Sequence, residues 1–393
     1  VTAQKLPERK RLLAFGALFL IPFTSTVRTN AQEIPANPIS PNQPVAMISS
    51  TTPAEEEIAF ANPFNQNRLS GVLLRPVGAG PIPAVLFIHG GGTADRNTWR
   101  PIADEFVKLG FACMLWDKPG CGKSTGDYRT ELQQDAMSEA QAALQFIRVQ
   151  PGIDPKRIGM WGISGAGAIV PQLAAAGDIS FAIMVSPMLS LSESLAYASS
   201  AQNFPKFEQY FAPLMTRMNI SDSEAREIHD FAASFVQLMA KRNVTYDEVL
   251  GLLRQRDLNK TWFPKLRQIN LITDSTHWTP EYYRRYREQY LHGDTYPLLS
   301  QTRCPILIII GADDFVLDPM ANARHCTDAA AKAAPGVITV RTFAGATHDL
   351  SPSGEGMAGQ SHFVPGYLDL MCSWLKEKAS DSTTNPAAPG DSH

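Results

Sequence analysis

A serine hydroxyl is a poor nucleophile at pH 7, so it does chemistry only where a base can take its proton and an acid can hold that base in place. The 393-residue chain has candidates for all three roles. Ser164 lies in Met160-Trp161-Gly162-Ile163-Ser164-Gly165-Ala166-Gly167, where an apolar run gives way to a stretch that can form a helix. A strand that reverses abruptly into a helix strains its turn residue, and flanking glycines relieve the crowding. The helix that follows points its unpaired N–H groups at the same spot. Downstream, Gly311-Ala312-Asp313-Asp314 offers two carboxylates and Gly345-Ala346-Thr347-His348 offers an imidazole.

The surrounding pattern supplies elements to position them. From Pro83 onward, apolar strands alternate with helical segments at residues 84–88, 111–116, 157–161, 179–185, 305–310 and 337–343. That alternation requires a mostly parallel sheet covered on both faces, an α/β architecture. In such a sheet the loops after strands 157–161, 305–310 and 337–343 emerge at one carboxyl edge, which brings Ser164, the aspartates and His348 to the same side. Two shorter extended stretches, 58–60 and 69–74, form an antiparallel entry around the turn Asn65-Gln66-Asn67.

The order Ser, Asp, His is the one described for α/β-hydrolases. Four blocks carry the resemblance: His89-Gly90-Gly91-Gly92, Asp117-Lys118-Pro119-Gly120-Cys121-Gly122-Lys123-Ser124, the Ser164 turn, and the paired Gly-x-x-Asp and Gly-x-x-His loops. The chain resembles an α/β-hydrolase of the capped esterase and serine-aminopeptidase type over about residues 56–378, outside a variable cap. It departs from the usual Gly-x-Ser-x-Gly elbow in having Ala166 where the last glycine is expected.

The resemblance implies a catalytic Ser164, Asp314 and His348. The family spacing from Gly311 selects Asp314 over its rival Asp313. It implies an oxyanion hole from the N–H of Gly165 together with Gly91 or its neighbour Gly90, and a structural place for His89. Asp318, just before Pro319, reads as a helix cap. The segment Gly122-Lys123-Ser124-Thr125 ends like a phosphate-binding loop, but Asp117 stands where that motif needs glycine, so a nucleotide is not expected.

Residues 188–300 break the alternation and are helical and aromatic in composition, which reads as a cap inserted into a core of 55–187 and 301–378. There Tyr282, Tyr286 and Tyr290 share a helix face, either packing the cap on its base or lining a substrate pocket. Before the core, Lys5, Arg9, Lys10 and Arg11 precede an apolar stretch at 12–23, too short to span a bilayer comfortably. Residues 1–31 therefore read as a signal peptide cleaved near Ala31, with an uncleaved anchor as the alternative, and 32–54 as a disordered linker. Residues 379–393 read as a disordered tail. Export to periplasm or medium would permit disulfides among the five cysteines, with Cys304 and Cys326 as the first pair to test.

A net charge of -3, and no long basic run beyond the N-terminus, argue against nucleic acid as the main partner. No CxxC or metal-ligand spacing occurs, so neither metal nor organic cofactor is expected. The sequence thus points to an exported serine hydrolase of carboxylic esters, acting on a small ester or short peptide, with an amidase or aminopeptidase as the alternative. A catalytically silent binding protein on the same fold is the reading from another class.

Overall fold

The computed structural model describes residues 53–78, 80–268, 273–353 and 362–381. The segments read as signal peptide and most of the linker lie outside these residues. Eight strands form one sheet: β1 (Ala54–Ala61), β2 (Arg68–Arg75), β3 (Ile82–Ile88), β4 (Ala112–Trp116), β5 (Ile153–Ile163), β6 (Ala182–Val185), β7 (Ile306–Gly311) and β8 (Ile338–Phe343). Their order across the sheet is β1-β2-β4-β3-β5-β6-β7-β8. The β1/β2 and β2/β4 pairs are antiparallel and the rest parallel. The expected α/β-hydrolase architecture is therefore present.

Strand residues sort by parity, as a sheet buried on both faces demands. Leu86, Met114, Met160, Met184 and Ile308 face one core, packed by α2 (Gln133–Arg148), α3 (Val170–Ala176) and α11 (Pro319–Lys332). Val85, Cys113, Trp161, Ile183 and Leu307 face the other, covered by α1 (Arg100–Lys108) and α12 (Tyr367–Asp381). At the exposed edge, β1 carries Glu55, Glu56 and Glu57 in succession, and charge there discourages pairing with another chain.

Between β6 and β7 the chain is helical: α4 (Leu191–Ala198), α5 (Phe204–Arg217), α6 (Asp222–Ala240), α7 (Tyr246–Asn259), α8 (Trp262–Gln268), α9 (Pro280–His292) and α10 (Tyr296–Leu299). Local chemistry starts several of them. Ser221 and Glu224 form a reciprocal capping box on α6, and Thr245 and Glu248 do the same on α7. Asp318 accepts from the Met320 and Ala321 amides ahead of α11, as its place before Pro319 predicts.

Three expectations need correction. Strand β1 begins at Ala54, four residues before the expected Ile58, because its outer residues pair with Arg75 to Val72 along β2 without being buried; apolar content could not reveal them. Helix α12 continues to Asp381, into the segment read as tail. Finally, Cys304 and Cys326 are both free, as are Cys113, Cys121 and Cys372. Burial raises the Cys304 thiol to about 11 and Cys326 to about 12, so both stay protonated at neutral pH.

Candidate active site

Strand β5 ends at Ile163, and Ser164, whose backbone sits in the left-handed region at φ 55, opens a short 3₁₀ turn that leads into α3. A serine there is strained, and such conformations persist where surrounding structure enforces them. The enforcing contacts explain both the glycines and the unexpected Ala166. A Cβ on Gly162 would lie 2.5 Å from the Ala166 methyl, so one of the two positions must be glycine, and it is Gly162. A Cβ on Gly167 would lie 2.6 Å from the Met188 amide nitrogen, in a place where only backbone stands. The glycine demanded near the end of the elbow is thus at Gly167. That close approach also lets the Met188 N–H donate to the Ser164 carbonyl at 2.7 Å.

His348 and Asp314 meet where the loops after β8 and β7 converge. His348 Nδ1 lies 2.7 Å from Asp314 Oδ2, and both side chains are almost wholly buried. The second carboxylate oxygen of Asp314 accepts from the Val316 and Leu317 amides, so the acid is fixed before it touches the ring. Burial works against the imidazolium of His348, but the Asp314 charge and its hydrogen bond outweigh it and raise the pKa above 6.5. Asp313 is half-buried, and its amide is tied to Ala346. The helical insertion clamps the same loop, with Tyr197 Oη donating to the Asp314 carbonyl and Asn203 Nδ2 to that of Phe315.

Ser164 opens onto two clefts. A smaller one is lined by His348, Asp349, Gly90, Gly91, Thr98 and Trp99, and a larger one of about 170 Å³ runs beneath the helical insertion. The loop after β3 separates them. Gly91 N lies 3.2 Å from the position a Cβ on Gly165 would take, so the predicted oxyanion glycines Gly90, Gly91 and Gly165 do come together.

Lys118, which the sequence placed only within one of the blocks carrying the family resemblance, ties down this loop. Its Nζ donates to the Gly90 carbonyl at 3.0 Å and pairs with Glu131 at 2.6 Å. In a planar trans peptide the Gly90 C=O and the Gly91 N–H point in opposite directions, so holding the first aims the second. Nothing in the sequence could couple Lys118 to Glu131 and Gly90, because the three meet only through the fold. The neighbouring Asp117 has a different task. It accepts from Arg96 and from the Lys123 amide, and it fills the space beside Gly122, where a Cβ would lie 2.2 Å from its carboxylate. The glycine-rich segment is therefore wrapped around a carboxylate rather than a phosphate.

His89 is half-buried, edge-on to Trp116, and its pKa falls to about 3, first through the desolvation of its ring nitrogens and then through the charge of Lys118. It is a neutral ring at any working pH. The tyrosine face of α9 is divided between packing and the wall of a cleft. Tyr286 and Tyr290 pack a buried cluster with Trp278 and Phe235, while Tyr282 and Tyr286 also line the larger cleft. On the same helix, Arg285 reaches Asp135 of α2 at 2.6 Å.

Among curated proteins, the chain is 37% identical to a thiohydrolase, aneE of Aspergillus aculeatus, over 87 residues, 22% of this chain and 27% of that one. It is 32% identical to the quorum-quenching protein AidA of Acinetobacter baumannii over 112 residues, 28% of this chain and 37% of that one. The alignments thus span only about a quarter to a third of these relatives' length. A solved hypothetical protein from Pseudomonas aeruginosa shares the fold at a TM-score of 0.51 and 17% identity, with 89% of this chain and 100% of that one covered. The model of the X-Pro dipeptidyl-peptidase (S15) family matches residues 66–332, across the elbow, the helical insertion and the Asp314 loop, and the chain belongs to that family of α/β-hydrolases.

Proposed function

We propose that the chain is a serine hydrolase of carboxylic esters, working through Ser164, His348 and Asp314. The observation that carries this reading is the buried 2.7 Å contact between His348 and Asp314, on the edge of the sheet where Ser164 stands at φ 55. His348 takes the Ser164 proton as the hydroxyl oxygen bonds to the substrate carbonyl carbon. It then gives that proton to the departing alkoxide as the ester bond breaks. Water reverses the sequence to free the acid. The Gly91 and Gly165 amides receive the charge that develops on the carbonyl oxygen.

Within this scheme Lys118 is a positioning residue. Removing one oxyanion donor costs about 10²- to 10³-fold in rate, and a misaimed Gly91 amide should cost a comparable amount. Lys118→Met is expected to lower kcat by about 10²-fold with little change in KM, because the donor acts mainly in the transition state. Combining it with Glu131→Gln avoids stranding a buried carboxylate. A double variant with unchanged kcat would remove Lys118 from the mechanism.

Family membership makes a dipeptidyl-peptidase the second reading. That activity requires the site to hold a peptide's terminal ammonium, for which an unpaired carboxylate is the natural partner. Of the two acids lining the larger cleft, Glu131 is engaged by Lys118 and Glu139 is hydrogen-bonded to Glu131, so neither stands there as a free carboxylate facing a cation. The name thiohydrolase on one relative also supports acyl chemistry on oxygen or sulfur leaving groups. Matched short-chain nitrophenyl esters and X-Pro arylamides separate the readings. Higher kcat/KM on the esters is expected, and a preference for X-Pro arylamides would install the peptidase in its place. Export, suggested by residues 1–31, is part of the same proposal.

A further inference from the structure

The loop that carries Asp314 changes its support at that residue. Before it, the Ala312 and Asp313 amides donate to the Phe343 and Ala346 carbonyls, so this part is tied to the end of β8 and to the loop that bears His348. After it, Phe315, Val316 and Leu317 are buried in a cluster whose other members, among the described residues, all belong to the helical insertion. The Phe315 ring lies 4.3 Å from that of Tyr210 and edge-on to Phe211 at 5.4 Å, both on α5. The Val316 and Leu317 amides are the two donors that fix the Asp314 carboxylate. What aims the acid is thus packed into the core of the insertion rather than that of the sheet.

Asn203 supplies the polar part of this junction. It stands at the N-cap of α5, where an asparagine oxygen ordinarily accepts from an amide of its own helix. Here it caps nothing. Its Oδ1 is buried without a partner among the described residues, while Nδ2 donates to the Ala198 carbonyl within the insertion and to the Phe315 carbonyl on the acid loop. Folded proteins seldom leave a buried polar atom unpaired, so the forgone cap needs a reason, and the bond that crosses to the loop supplies one. Tyr197, on α4, adds a second tie, its Oη donating to the Asp314 carbonyl at 3.0 Å.

Resting on the ester-hydrolase reading of Ser164, we propose that Asn203 is a positioning residue of the triad: with Tyr197 it holds the Asp314 loop against the insertion, so that the insertion sets how closely the acid meets His348. Slack in the loop lengthens that contact, and the imidazolium formed in the transition state loses part of its stabilisation. Neither Asn203 nor Tyr197 lines either cleft, so their loss should register in the chemical step and not in substrate binding. The charges acting on His348 are those of Asp314 and, more weakly, of Asp349 in its own loop.

The test begins with Asn203→Leu, which removes both donated bonds at nearly the same size. It is expected to lower kcat on a short-chain nitrophenyl ester by about tenfold, with KM within about twofold of the parent's. The inflection of kcat/KM should move to lower pH, the direction expected on loss of the Asp314 charge. Tyr197→Phe should act in the same sense to a smaller degree, and it carries the test should the Asn203 variant fail to fold. A double-mutant cycle then shows how the effect is transmitted. In an Asp314→Asn background, Asn203→Leu should cost less than about twofold, because no charged acid is left to position. A mere loss of folded enzyme would cost the same factor in both backgrounds and leave the inflection in place. That result, or an unchanged kcat in both single variants, overturns the inference and leaves the hydrolase standing. Absence of turnover by the parent on every ester, together with no labelling of Ser164 by a fluorophosphonate, overturns the hydrolase reading and this inference with it.

Discussion

Ser164→Ala is expected to lower turnover of a short-chain nitrophenyl ester by about 10⁴- to 10⁶-fold and to remove labelling by a fluorophosphonate. The residual rate should reflect what the oxyanion amides and binding supply without a nucleophile. The change deletes one oxygen at a position already held at φ 55 by the Met188 and Gly90 contacts, so the thermal transition should stay within a few degrees of the parent's. Undiminished labelling of the variant would place the nucleophile elsewhere.

Asp314→Asn should be nearly as damaging, about 10³- to 10⁴-fold in kcat, because an amide cannot serve the two backbone N–H groups and the imidazole N–H as the carboxylate does. The pH profile makes the assignment specific. His348 must be neutral to act as a base, so kcat/KM should rise with pH through a pKa above 6.5 and level off beyond it. Without the Asp314 charge, burial is opposed only by the smaller effect of the Asp349 charge, and the inflection of the residual activity should move to lower pH. The same pair links to stability: His348, with its folded pKa raised, stabilises the fold fully below its unfolded pKa and loses that contribution as pH rises through the folded one. Asp313→Asn should leave rate and inflection near the parent's; a larger loss there than at Asp314 would exchange the two roles.

Much of the fold was legible because parallel strands announce themselves. Runs such as Ala84 to Ile88 and Ile306 to Ile310 are apolar at every position, since both faces are covered, and each is followed by a loop whose chemistry is short-range. The outer part of β1 was not legible, because Glu55 to Glu57 make a strand through pairing alone. The suspected Cys304–Cys326 pair failed for a related reason: proximity along a strand-loop-helix unit does not specify disulfide geometry, and both are buried free thiols. Ala166 looked like a flaw in the elbow until Gly162 and Gly167 were seen to carry the two close approaches between them.

The sequence by itself determined the hydrolase architecture and the identity and order of Ser164, Asp314 and His348. Those features depend on hydrophobic period and on loops a few residues long, which physical chemistry reads locally. Tertiary structure alone supplied the 2.7 Å contact between His348 and Asp314, the hold of Lys118 on Gly90, and the meeting of Trp116, Tyr128, Glu139 and Tyr286 along one cleft. These are contacts between residues far apart in the chain, set by how the helical insertion closes on the sheet. No local pattern encodes that closure, because its energy is spread over whole packed surfaces such as the one joining Trp278, Phe235 and Tyr286.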